Sequence, residues 1–171
     1  MAADDHFALF GLPARFDIDA SRLEQAWRTV AAQVHPDRYA TASPAERRVA
    51  MQWSARANEA YRQLRDPLLR ARYLCERAGV DLQTESNTSM DTDFLMQQMA
   101  WREMLDDIRE QGGTGPAADT LRAQLDAAEA DLRRSVGELL DDQDDAVSAA
   151  TKIREWMFVR KMSQELALAA D

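Results

Sequence analysis

Two stretches with apolar residues at helical spacing stand on either side of a His35-Pro36-Asp37 tripeptide. No other feature of this 171-residue chain limits the fold as strongly. Before the tripeptide, Leu23, Trp27 (or Ala26), Val30 and Val34 recur once per helical turn. After it, Trp53, Ala57, Ala60, Tyr61 and Leu64 do the same. Proline has no backbone N–H and disfavours helical geometry in the residue before it. The first stretch must therefore leave the helix at His35, and the chain must reverse if both stripes are to be buried. An imidazole and a carboxylate are then held out on a stiffened loop. Ionised Asp37 is acceptor-only and suits an arginine on a partner. Taken alone, the tripeptide would be a helix stop followed by an ordinary loop aspartate.

Capping residues mark the remaining boundaries. Asp4 or Asp5 caps a short helix over Phe7 to Phe10, which Gly11-Leu12-Pro13 ends. Asp19 or Ser21 opens the second helix, with Ser21 and Glu24 in capping-box form. Ser43-Pro44-Ala45-Glu46 joins a cap, a helix-start proline and a box at the head of the third. Asp66-Pro67 starts a fourth, and Gly79 ends it. Residues 77–91 turn polar, with Gln83-Thr84-Glu85-Ser86-Asn87-Thr88-Ser89, and form a linker. Helical segments follow over about 92–110, 116–140 and 144–169, broken at Gly112 to Pro116 and at the Asp141 to Asp145 run. Short connections between amphipathic helices imply antiparallel neighbours. The expectation is an all-α chain of two domains, 1–76 and 92–171, the second a three-helix bundle.

Charge and composition narrow the function classes. A net charge of −9 argues against a general nucleic-acid binder. Cys75 is the one cysteine, so neither a disulfide nor a cysteine zinc site is available and the reducing cytoplasm fits. Met1 to His6 lacks a basic targeting region, and no apolar run reaches membrane-spanning length. His6 and His35 have no metal-ligand spacing, and no phosphate-cradling glycine motif occurs. Acidic pairs such as Asp106-Asp107 suit solvated faces better than acid–base catalysis. The chain is therefore expected to have no metal, no cofactor and no active site of its own.

A helical wheel of residues 94–108 gathers Phe94, Gln98, Trp101, Leu105 and Ile108 on one side. Leu95, Met96 and Met99 fall outside that stripe, with Ala100, Glu103 and Asp107 beside them. An apolar patch with an acidic edge, turned from the core, marks a binding surface, and methionine suits adaptable contacts. Burial beneath a second neighbour is the alternative. On the last helix Ala149, Ile153, Trp156 and Ala167 form a stripe; Phe158 projects oppositely, either into other packing or into the patch.

The order of short helix, helix, His-Pro-Asp, helix and fourth helix resembles the J-domain of DnaJ-type co-chaperones. So does Asn58-Glu59-Ala60-Tyr61 followed by Leu64-Arg65-Asp66-Pro67. Phe10-Gly11-Leu12-Pro13-Ala14-Arg15-Phe16, Arg65 through Leu74, and Asp93-Phe94-Leu95-Met96 with Arg102-Glu103 resemble the HscB type in particular. That resemblance implies an L-shaped molecule and a co-chaperone of iron–sulfur cluster assembly. Its partners would be HscA, a DnaK-like ATPase, and IscU, the scaffold protein, with neither nucleic acid nor membrane. It implies that His35, Pro36 and Asp37, flanked by Arg28 and Arg38, meet the chaperone. Leu95, Met96, Met99, Ala100, Glu103, Asp107 and an exposed Phe158 would hold the scaffold. A general J-protein serving DnaK with unfolded clients, and a helical adaptor without chaperone function, are the rival readings.

Overall fold

The structure is a computed structural model that describes residues 5–82 and 90–171. Asp4 and the polar run Gln83 to Ser89 lie outside the described residues. The described residues form seven α-helices and no strand, so the chain is all-α. It divides into two compact units, Met1–Leu74 and Cys75–Asp171.

In the first unit, Asp5 caps α1 (His6–Leu9) and also accepts a hydrogen bond from the Tyr73 hydroxyl at 3.2 Å. Asp19, not Ser21, caps α2 (Ala20–Gln33), its carboxylate accepting from the Ser21 and Arg22 N–H groups. The Ser21 capping box therefore does not form, and Glu24 pairs with Arg28 instead. At the head of α3 (Pro44–Arg65) the expected Ser43–Glu46 box is complete in both directions. α2 and α3 pair as a hairpin; Ala50, Ala57, Ala60 and Leu64 are the buried residues of α3 and Leu23 that of α2. Trp27 stacks on Tyr61 at 4.4 Å and donates its indole N–H to the Asn58 side chain. Asn58 and Tyr61 thus fasten α3 to α2. Glu59, between them, accepts from Arg62 and Gln63, which holds its carboxyl down to about 2.

Arg70 closes the end of the hairpin away from the tripeptide. It belongs to α4 (Pro67–Arg77), is 6% exposed, and donates to the Phe16 carbonyl at 2.6 Å and the Leu64 carbonyl at 2.7 Å. One guanidinium therefore joins the segment before α2, the last turn of α3 and α4. Nothing in hydrophobic spacing foretells this, because a buried arginine breaks the pattern that reveals a core.

The second unit begins earlier than the sequence implies. The Cys75 thiol lies 3.6 Å from the Ala146 carbonyl, and burial pushes its pKa up to about 11. Arg154 donates to the Asp81 and Leu82 carbonyls. The first part of the expected linker is thus held by side chains of this unit. α5 (Thr92–Glu110), α6 (Pro116–Gly137) and α7 (Ala146–Ala169) make up the bundle. α6 runs on through a π turn, Glu138–Asp142, and the acidic run ends it with Asp144 at φ 51 and Asp145 as the cap of α7. Between α5 and α6, Gly113 is obligatory: its φ is 82, and a Cβ there would run into the Ala169 carbonyl. Trp101, Leu105, Ile108, Leu121, Leu125, Ile153, Trp156, Val159, Met162 and Leu166 form the core. Ala167, expected in the stripe of α7, is exposed; Val159, Met162 and Leu166 carry that face to its end.

Candidate functional site

The tripeptide folds into more than a simple loop. Pro36–Tyr39 form one 3-10 turn, and His35 is its cap. The His35 Nδ1 accepts from the Asp37 N–H at 3.2 Å, and the His35 carbonyl accepts from the Arg38 N–H at 3.0 Å. A neutral imidazole that accepts at Nδ1 carries its proton on Nε2. The Tyr39 hydroxyl donates to the Gln33 carbonyl at 3.3 Å, tying the turn to the end of α2. Each residue has a physical reason: proline ends the helix, histidine pins the turn, and the turn aims the carboxylate outward. The Asp37 side chain is 93% exposed, with one oxygen 3.6 Å from the His35 Nδ1. Arg28 is exposed and bound to Glu24 at 2.8 Å. An exposed pair of this kind contributes at most about 0.5 kcal/mol, so a partner's carboxylate can replace Glu24 at little cost. Arg38 is exposed beside the turn.

The second surface lies on α5 and α7. Leu95, Met96 and Met99 are 40%, 64% and 68% exposed, and Ala100, Glu103 and Asp107 are exposed with them. Trp101, Leu105 and Ile108 on the other side of α5 are buried, so the wheel separates the two faces; Phe94 and Gln98 are half-buried. Phe158 departs from the expectation of an exposed ring. It is half-buried, its edge against Phe94 at 6.0 Å and the Arg102 guanidinium over it at 5.7 Å. Arg102 in turn pairs with Glu165 at 2.9 Å. The ring is a fixed part of the wall, held from two sides. The pairing of Arg102 with Glu165 across two helices left no trace in either helix's own spacing.

Trp53 is a further departure. Counted with the apolar stripe of the third helix, it is 41% exposed, beneath the Arg56 guanidinium at 5.1 Å. The buried positions of that helix are the alanines at 50, 57 and 60, together with Leu64.

The units also differ in charge. The first 74 residues hold 11 arginines and 9 acidic residues; the remaining 97 hold 10 basic and 21 acidic residues. A slightly basic unit bearing a rigid acidic tip is joined to a strongly acidic unit bearing a methionine face. Among the described residues, no group of three or more histidine, cysteine or acidic side chains could hold a metal ion, and no helix is long and apolar enough to cross a membrane.

A helical hairpin bearing His-Pro-Asp at its turn, followed by a three-helix unit, defines a J-type co-chaperone. Known proteins agree. Residues 90–167 match the family model described as the HSCB C-terminal oligomerisation domain. The "Co-chaperone protein HscB homolog" of Bordetella petrii is 71% identical over 99% of this chain and 98% of its own length. That of Ralstonia nicotianae is 48% identical over 99% and 96%. Among solved structures, chaperone HscB from Vibrio cholerae superposes with a TM-score of 0.81 at 34% identity, covering 96% of each chain. Human co-chaperone protein HscB, at 23% identity, shares the fold with a TM-score of 0.88 over 96% of this chain and 81% of its own. The chain belongs to the HscB family, the J-type co-chaperones of iron–sulfur cluster assembly. These relatives are named as co-chaperones, not as enzymes.

Proposed function

We propose that this protein stimulates ATP hydrolysis by the DnaK-like chaperone HscA and delivers the iron–sulfur scaffold IscU to it, in the cytoplasm. His35, Pro36 and Asp37, with Arg28 and Arg38, meet the chaperone. Leu95, Met96, Met99, Ala100, Glu103, Asp107 and Phe158 hold the scaffold. Residues 1–76 serve the first task and residues 92–171 the second, joined through 77–91. With both partners on one molecule, the scaffold's encounter with the ATPase becomes effectively intramolecular, and its local concentration rises without any new contact. The chemistry belongs to the ATPase; this chain supplies binding and orientation.

What carries the reading is the Asp37 carboxylate, held almost fully in solvent by a turn whose internal hydrogen bonds are already made. Such an acceptor suits a fixed arginine on a partner. The scaffold half rests on Met96 and Met99, large apolar side chains left in water on a helix that is well buried on its other face. The test is steady-state ATPase of HscA with IscU present, wild type against Asp37→Ala. Stimulation is expected to vanish in the variant; equal stimulation by both would sink the proposal. DnaK in place of HscA discriminates the general J-protein, which would stimulate the two ATPases alike.

A further inference from the structure

The Arg102 guanidinium reaches two places on α7 at once. It stands over the Phe158 ring at 5.7 Å and donates to the Glu165 carboxylate at 2.9 Å. Glu165 follows Phe158 by about two helical turns, so both side chains lie on one side of α7. Phe94 meets the same ring from α5, edge-on at 6.0 Å. An aromatic edge and a flat cation are both favourable neighbours for a phenyl ring.

Arg102 has another carboxylate at hand on its own helix. Asp106 stands at the spacing of a helical ion pair, yet it pairs with Arg109 at 3.6 Å. Glu165 instead draws the guanidinium across to α7. The two side chains of that pair are 42% and 25% exposed, and an ion pair this wet contributes little to stability. Its consequence falls on the ring that it holds in place.

A side chain free to turn must be ordered when a partner lands on it, which costs roughly two- to tenfold in affinity. A ring already held loses less. We infer that Arg102 and Glu165 are positioning residues for scaffold binding: Glu165 fixes Arg102, and Arg102 fixes Phe158 in the orientation that the scaffold meets. This inference rests on the scaffold-binding role proposed above for Phe158. Glu165 acts at one remove, through the arginine, and needs no contact with the scaffold.

A double-mutant cycle in the full chain, read by calorimetric titration with IscU, tests the inference. Glu165→Ala and Arg102→Met are each expected to weaken IscU binding about fivefold. In a Phe158→Ala background the same changes should cost less than about twofold, because no ring remains to be positioned. Thermal melting, and HscA stimulation without IscU, should match wild type, which separates positioning from loss of the fold. Glu165→Gln keeps the shape and a weaker hydrogen bond; it should fall between wild type and Glu165→Ala, and it carries the test if the alanine variant melts early. Single-variant affinities within twofold of wild type overturn the inference. So does an Arg102→Met loss that persists in the Phe158→Ala background, which would make Arg102 a direct contact of the scaffold. Failure of wild type to bind IscU, or undiminished binding by Met96→Ser with Phe158→Ala, overturns the scaffold-binding reading and the positioning role with it.

Discussion

The two candidate surfaces present opposite chemistry. The tip of the first unit is small, polar and pinned: His35 spends its Nδ1 on the Asp37 N–H, Tyr39 holds the turn to α2, and a single carboxylate is presented. The face of the second unit is broad and apolar, with Met96 and Met99 free to choose rotamers around a fixed wall of Phe94 and Phe158. A pinned acceptor gives direction and rejects any partner lacking a matched donor, because an unpaired polar group at an interface is costly. A methionine face gives contact area and tolerates variation in what it covers. The proposed function, signalling to one partner and carrying another, has use for both.

The sharpest way to break this comparison is a change that keeps the shape of the tip and removes its charge. Asp37→Asn should lower HscA stimulation at least about 30-fold, as expected when one member of a hydrogen-bonded charge pair is lost. An asparagine variant that stimulates normally would mean that the turn acts by shape alone. On the other surface, Met96→Ser with Phe158→Ala should weaken IscU binding about tenfold or more in calorimetry, while thermal melting shows the unit still folded. A smaller effect concerns the cost carried inside the acidic unit. Glu155 is 2% exposed, and burial raises its pKa despite Lys152 at 3.4 Å. A carboxyl whose folded pKa lies above its unfolded value favours the fold when protonated, and that stability is lost as pH rises from about 4.5 through the raised value. Glu155→Gln should therefore raise the urea midpoint at pH 7 and flatten its fall between pH 4 and pH 7. The smallest effect is the most telling for the contrast: Met99→Leu should change IscU affinity less than about twofold, because an adaptable face accepts a volume-conserving exchange.

Local chemistry made much of this legible. The α3 capping box, the helix stop at His35-Pro36 and the two faces of α5 are each fixed by residues within a turn or two, so the chain states them directly. What was hidden lies between elements. Asp19 outcompeted Ser21 as a cap through geometry that spacing does not encode. Trp53 fits helical periodicity yet is 41% exposed, while Ala50, Ala57, Ala60 and Leu64 take the buried positions of α3. Direction and resemblance both imply an exposed Phe158, but neither encodes the Phe94 ring and the Arg102 guanidinium that cover it, the latter held by Glu165 on α7. The polar stretch after α4 suggested a linker, and composition could not reveal that Arg154 fastens its first carbonyls.

The buried guanidinium of Arg70 has a mechanical meaning. Asp37 sits at one end of a hairpin whose longer helix extends roughly 33 Å, and Arg70 binds both strands of the chain at the opposite end. A pull on the tip would load α2 and α3 in shear, and the forked clamp ties their far ends against sliding. Because arginine stays charged at every pH at which the protein folds, that anchorage does not titrate away.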